Sequence, residues 1–132
     1  MFLFMADRAE HIEEVIKKNK NDTIISHRSM ISGIAYASAL SIDELINLNL
    51  IATNNTLPTH VILLELTPHE LKFRLSQKEN DSIELRGIDY LINIQNRMKE
   101  TIKRLNINHI IIDASLKIEE IEKKIEDFIN GE

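Results

Sequence analysis

One segment of the chain joins a short β-branched run to polar side chains that could bind an anion. Residues 23–26 have the character of a strand, and Arg28, Ser29, Ser32 and a glycine follow before Tyr36. Open α/β sheets build ligand sites at the carboxyl ends of their strands, and the planar guanidinium of arginine suits phosphate or carboxylate. The segment therefore predicts an anion site anchored by Arg28. A plain turn between a strand and a helix, with Arg28 in solvent, fits the same residues, and both interpretations stay open.

The elements that would position this segment alternate between helices and strands. The predicted order is helix 2–19, strand 23–26, helices 31–36 and 41–53, strand 61–66, helix 68–77, a charged loop at 78–87, helix 88–105, strand 109–113 and helix 117–129. This alternation indicates an α/β fold, with a parallel sheet covered by helices on both faces. About three strands are few for such a sheet, so we expect the missing strands to lie before residue 1.

Composition and charge narrow the class of protein. The 132 residues are 43% hydrophobic and 28% charged, which predicts a single globular domain. The net charge of −5 argues against a nucleic-acid binder held by a general basic field. No apolar run approaches the ~18 residues that a membrane span needs. The lack of cysteine fits a cytoplasmic location, and the five histidines show no metal-ligand spacing, so we expect no metal site formed by protein ligands alone.

Several stretches, taken in order along the chain, resemble the thymidylate kinase (dTMP kinase) family. They are LFMADRAEH at 3–11, SHRS at 26–29, SGIAY at 32–36, LELTPHE at 64–70, NDSIE at 80–84 and IDAS at 112–115. The central variant, SHRSMISGIAY, is most similar to the form found in epsilonproteobacteria. The resemblance covers essentially the whole chain.

The resemblance implies an enzyme that transfers a phosphoryl group from ATP to dTMP, giving dTDP and ADP for dTTP biosynthesis. It implies a three-layer fold of the P-loop NTPase type, Mg²⁺ accompanying ATP, and a cytoplasmic homodimer. Residues 1–132 would form one nucleoside-monophosphate-kinase-like domain, with a lid at about 78–87. Such transfer depends on cations and donors that place and neutralise the phosphates.

The family's dTMP subsite implies roles for five residues. Phe4 would stack on the thymine and Arg8 would bind a base carbonyl, and their spacing of four puts both on one helical face. Arg28 would hold the phosphate, while Ser32 and Tyr36 would line the base and the deoxyribose. From the residues alone, Phe4 could be a core residue, Arg8 a surface cation, and Tyr36 a half-buried helix aromatic.

The phosphoryl-transfer and adenine regions are implied in the same way. Arg28, Arg74 and Lys78 would be the catalytic cations, although Arg74 and Lys78 could equally belong to a solvated helix face. The segment Asp113, Ala114 and Ser115 would border the adenine, and Ser115 could also serve as the N-cap of the last helix.

The chain departs from the family pattern at two points. The family's P-loop, GxxGxGK[ST], is absent from the 132 residues, so we expect it before Met1. His27 stands where the family has an acid, and a histidine cannot supply a negative charge to hydrated Mg²⁺. The alternative function is therefore a truncated, non-catalytic nucleotide-binding remnant.

Overall fold

The structure, a computed structural model, describes residues 1–77 and 85–131, with the side chains of 85 and 86 left out. The elements are α1 (Phe2–His11), α2 (Met30–Tyr36), α3 (Ile42–Ala52), β1 (His60–Glu65), α4 (Pro68–Ser76), α5 (Leu85–Leu105), β2 (Asn108–Asp113) and α6 (Ile118–Asn130). A π-helical turn (Ile12–Ile16) and a 3-10 turn (Lys17–Asn19) continue α1. The chain forms two compact units, Met1–Pro58 with Arg97–Leu105, and Thr59–Asn96 with Asn106–Glu132.

The first unit is helical and has its own apolar core. Both α1 and α2 pack against α3. Ile34, Leu45 and Ile102 have no exposed surface, and Met5 and Met30 are buried with them. The predicted helices 2–19, 31–36 and 41–53 are confirmed to within a residue or two. Because α3 contacts both other helices, its side chains can connect α1 to α2.

The amino terminus of α3 carries a capping box, which a serine at 41 followed three residues later by a glutamate predicts. The Glu44 amide donates to the Ser41 hydroxyl, while the Ser41 amide and hydroxyl donate to the Glu44 carboxylate at 2.9 and 2.7 Å. Donation by the Ser41 hydroxyl lowers the pKa of Glu44 below its usual value.

Replacing Ser41 with alanine is expected to lower the free energy of unfolding by about 1 kcal/mol, because α3 loses its cap. The pKa of Glu44 should then rise towards its ordinary value. Urea denaturation and an NMR titration of Glu44 measure the two effects. Ser38→Ala, at an exposed serine in the preceding loop, is the matched control; equal stability of the two variants would contradict the cap.

The second unit contains the two strands, which are adjacent and parallel. His60 lies opposite Asn108 and Glu65 opposite Asp113, so both strands end at the same edge. Leu63 and Ile112 are buried, and α6 packs against β2. Thr67 caps α4, and Pro68 occupies its first turn, as the Thr67-Pro68 pair in the sequence predicts.

The predicted strand at 23–26 is not confirmed. These residues pair with no other strand in the described part of the chain, and Ile25 is 89% exposed. A strand needs a neighbour for its backbone N–H and C=O groups, so β-branched residues alone do not make one. The described residues thus form an α/β structure with a two-stranded parallel sheet, one strand fewer than expected.

The predicted loop at 78–87 is too long at its carboxyl side. Helix α5 begins at Leu85, three residues before the predicted start. One glycine costs a helix only about 1 kcal/mol, so Gly87 does not delay the start of so long a helix. Residues 78–84, which include the predicted catalytic residue Lys78, lie outside the described part. No helix of the described residues is long and apolar enough to cross a membrane.

Candidate functional site: two arginines on the helix Met30–Tyr36

Arg8 is half-buried in the first unit, at the side of α1 that faces α3. Its Nη1 donates to Oδ1 of Asn49, a residue of α3 that is only 1% exposed. Burial lowers the pKa of Arg8, and the neighbouring Asp7 opposes this shift. Arg8 is therefore a fixed group and not a solvated surface cation.

The other side of the Arg8 guanidinium lies against α2 at Gly33. A Cβ atom on Gly33 would be 2.6 Å from Nη2 of Arg8, closer than side-chain atoms approach. The lack of a side chain at Gly33 thus makes room for the guanidinium. Ser32, the preceding residue, donates its hydroxyl to the carbonyl of Ser29 at 3.0 Å.

Arg28 lies just before α2 and packs over the ring of Tyr36, near the end of that helix. Its Cζ is 5.5 Å from the ring centroid, a cation–π contact. Its φ of 64° is in the left-handed region, which costs an L-residue roughly 1–2 kcal/mol. Ser29 then caps α2 by accepting from the amide of Ile31 at 3.4 Å. The structure therefore brings both predicted arginines, Arg8 and Arg28, to α2.

Phe4 and Tyr36 are both exposed, at 69% and 40%. The interpretation of Phe4 as a core residue is wrong, because a core phenylalanine would be covered. An exposed ring one helical turn before Arg8 is available to a planar ligand.

Arg97 of α5 is a site residue that the sequence did not reveal. Its Nε donates to the carbonyl of Ala35 at 2.9 Å, and its Nη2 to those of Ile34 and Ala37 at 3.2 and 2.7 Å. These carbonyls lie at the carboxyl end of α2, where the amides of a further helical turn are lacking. The carbonyl of Ile34 also accepts from the amide of Ala37 at 3.3 Å. One guanidinium thus holds the carboxyl end of the helix that carries Gly33 and Tyr36.

In the second unit, Arg74 contacts the predicted adenine segment. Its Nη2 donates to the carbonyl of Ala114 at 2.8 Å, and its Nε pairs with Glu70 at 2.8 Å. Asp113 accepts from the amide and hydroxyl of Ser115 at 2.8 and 2.6 Å. These two bonds lower the pKa of Asp113, and the charge of Arg74 adds to the effect.

The interpretation of Ser115 as a helix N-cap is wrong. The last helix begins at Ile118 with Lys117 in the N-cap position. Ser115 instead bonds to the side chain of Asp113, two residues back, in a local turn.

A cavity of about 520 Å³ opens at the carboxyl ends of β1 and β2. Its polar lining includes Glu65, Thr67, Asp113 and Gln95. The Gln95 side-chain amide accepts from the amide of Leu66 at 2.8 Å and donates to its carbonyl at 2.9 Å. Gln95 thereby fixes the chain as it leaves β1, a role that no sequence signal indicated. No group of three or more His, Asp or Glu side chains that could hold a metal occurs among the described residues.

The helices and parallel strands place this chain among the α/β proteins, and comparison with known proteins narrows the class further. A model of the thymidylate kinase family matches residues 1–125. The chain is 80% identical over 130 residues to the thymidylate kinase of Aliarcobacter butzleri, covering 98% of this chain and 69% of that protein. It is 50% identical over 131 residues to the thymidylate kinase of Nautilia profundicola, covering 98% of this chain and 68% of that protein.

The chain belongs to the thymidylate kinase family. The resemblance to this family and to its epsilonproteobacterial form is confirmed by these relatives.

Proposed function

We propose that this chain binds dTMP and serves the transfer of a phosphoryl group from ATP to dTMP. The observation that carries the proposal is the meeting of Arg8 and Arg28 on α2. Arg8 lies against Gly33, and Arg28 lies over Tyr36, three residues further along the helix. These positions are ~4.5 Å apart along the helix axis. Both cations therefore lie against α2 within about one turn of each other's contact, which supports a base carbonyl and a phosphate of one nucleotide as their ligands.

The proposed roles within the dTMP subsite are those that resemblance to the family implies, and this arrangement supports them. Arg8 donates to the base carbonyl, and the exposed ring of Phe4 stacks on the thymine. Arg28 holds the phosphate, as expected for a guanidinium and a dianionic group. Ser32 and Tyr36 border the base and the deoxyribose.

On the ATP side, the bond from Arg74 to the carbonyl of Ala114 supports the proposal that a catalytic cation and the adenine segment belong to one ATP-binding region. Asp113, Ala114 and Ser115 border the adenine. Arg74 and Lys78 serve as catalytic cations for the phosphoryl group, as Arg28 does on the dTMP side. In this role Arg74 releases the carbonyl of Ala114, which it holds in the structure. ATP arrives with Mg²⁺ as its counter-ion; the described residues offer no ligand cluster that fits a metal ion, so no step is assigned to magnesium.

Family membership supports the wider proposal. Residues 1–132 form one nucleoside-monophosphate-kinase domain of the three-layer P-loop type, with a lid at about 78–87. The protein is a homodimer in the cytoplasm.

Nucleotide binding without transfer is the second candidate function, and one sequence fact favours it for the chain by itself. Gly33, Gly87 and Gly131 are the only glycines, so the 132 residues contain no glycine-rich loop to cradle the phosphates of ATP. A coupled assay of ADP release with ATP and dTMP separates the two candidates. Turnover by the purified 132 residues would exclude the non-catalytic function.

Calorimetry tests the dTMP subsite directly. The wild-type chain should bind dTMP, and Arg28→Ala should weaken binding about tenfold, the effect of one charge-assisted hydrogen bond at an exposed side chain. Arg104→Ala is the matched control, because Arg104 is also an exposed arginine of the first unit but pairs with Asp43 and Glu100. Equal affinities of the two variants would contradict the proposed phosphate contact.

A further inference from the structure

We infer that Asn49 is a positioning residue, which holds the Arg8 guanidinium ready to recognise the carbonyl of a pyrimidine base. The inference rests on the proposed function, in which Arg8 contacts the base. It assigns a role in nucleotide selection to a buried residue of α3 that makes no ligand contact itself.

Both ends of the Asn49 side-chain amide are engaged. Nδ2 donates to the carbonyl of Leu45 on the same helix at 2.7 Å, and Oδ1 accepts from Arg8. Because the bond to Leu45 fixes the amide plane, Oδ1 is directed towards α1 as an acceptor. Asn49 is 1% exposed, so water does not compete for this position.

The residue type is hard to explain by helix stability. Asparagine is a weak helix former, and a buried amide must find partners for all its polar atoms. An apolar residue next to Leu45 would serve the core better, since Leu45 has no exposed surface. A buried asparagine that lowers helix stability is a feature expected at a functional site.

Asn49 and Gly33 together restrict Arg8 from two sides. Asn49 binds Nη1, while Nη2 lies in the space that a side chain at Gly33 would fill. Arg8 is therefore ordered by its protein contacts. A group ordered in advance binds a ligand without the entropy cost of immobilising a long side chain.

This arrangement distinguishes bases by hydrogen-bond polarity. A guanidinium has only N–H donors, so it pairs with the exocyclic carbonyl of thymine and opposes the exocyclic amino group of cytosine. The opposition is strong only if the donors cannot turn away. Asn49 prevents that rotation, so its loss should reduce discrimination more than it reduces binding as such.

The test compares dissociation constants for dTMP and dCMP in the full 132-residue chain. Asn49→Leu keeps the shape and removes the acceptor, and we expect the dCMP/dTMP ratio of dissociation constants to fall about tenfold. Asn49→Asp keeps an acceptor for Arg8 and should restore most of the ratio. Thr53→Val is the control, because Thr53 is equally buried one turn further along the chain, and its hydroxyl donates to the carbonyl of Asn49 at 2.9 Å. It should alter stability without altering the ratio.

Each outcome has a distinct meaning. If the wild-type chain does not bind dTMP, the proposed function and this inference fail together. If it binds dTMP but Asn49→Leu weakens dTMP and dCMP equally, only the inference fails, and Asn49 is merely structural.

NMR of the Arg8 side chain in the free wild-type protein tests whether the guanidinium is held before dTMP binds, even if the variants do not fold. Separate, slowly exchanging Nη1 and Nη2 signals are expected for a held guanidinium. Signals that are averaged until dTMP is added would overturn the inference.

Discussion

Replacing Arg97 with alanine is expected to lower the free energy of unfolding by about 2–4 kcal/mol, more than the loss of a surface residue. Arg97 donates to the carbonyls of Ile34, Ala35 and Ala37 at distances of 2.7–3.2 Å. Alanine would leave the carbonyls of Ala35 and Ala37 without this donor, while that of Ile34 keeps the amide of Ala37 at 3.3 Å. The positive charge of Arg97 also suits the negative end of the helix dipole.

The effect should be large because α2 is short. It has seven residues, and an isolated helix of that length is unstable in water. Its stability therefore depends on tertiary contacts, namely its packing on α3 and the bonds from Arg97. A looser α2 would also disturb Gly33 and Tyr36, so dTMP binding should weaken in parallel.

Urea denaturation of matched variants measures this effect. Arg97→Lys keeps the charge but lacks the fork of donors that serves three carbonyls, so it should recover less than half of the loss. Arg104→Ala removes an exposed arginine from the same helix, where its pairs with Asp43 and Glu100 contribute little. If Arg97→Ala is no less stable than Arg104→Ala, the capping role is wrong.

Replacing Gly33 with alanine is expected to weaken dTMP binding about 30–100-fold with little net change in stability, because the gain in helix propensity is offset by disturbance of the bond between Arg8 and buried Asn49. The added Cβ would lie 2.6 Å from Nη2 of Arg8, the far end of a flexible side chain. The backbone of α2 need not move, because the guanidinium can shift away. That shift removes Arg8 from the position where it would meet the base.

Gly87→Ala provides a matched control. Gly87 is also helical, but a Cβ there meets no atom within 4 Å. Both substitutions gain similar helix propensity, roughly 1 kcal/mol over glycine, and only Gly33→Ala displaces Arg8. Calorimetry with dTMP and thermal unfolding separate the two effects. Unchanged dTMP affinity in Gly33→Ala would show that the position of Arg8 does not matter for binding.

Much of the secondary structure could be predicted because its causes are local. The capping box of Ser41 and Glu44 and the proline at the start of α4 act within four residues, and both are confirmed. The strand at 23–26 is not confirmed, because a strand depends on a neighbour elsewhere in the chain. The predicted end of the loop at 78–87 was wrong because one glycine does not stop a long helix.

In the candidate site, too, some residues could be predicted from the sequence and others could not. Resemblance to the family named Arg8, Arg28, Ser32 and Tyr36, since their motifs are continuous stretches of sequence. The residues that hold these groups in place were missed. Gln95 and Arg97 lie on a charged helix, where a glutamine and an arginine normally face solvent, and Asn49 looks like one polar residue among many.

The sequence by itself predicted the family, the helices and the candidate residues of the dTMP subsite, because each prediction depends on short-range patterns. Only the tertiary structure decided which of these residues are held and by what. Asn49 and Arg8 are 41 positions apart, and Arg97 and Ala35 are 62 apart. Such contacts are made when helices pack, and the spacing of residues along a chain carries no record of them. Arg8 of α1 and Arg28, which lies just before α2, thus both pack against α2. Asn49 bonds to Arg8, and Arg97 bonds to the carboxyl end of α2.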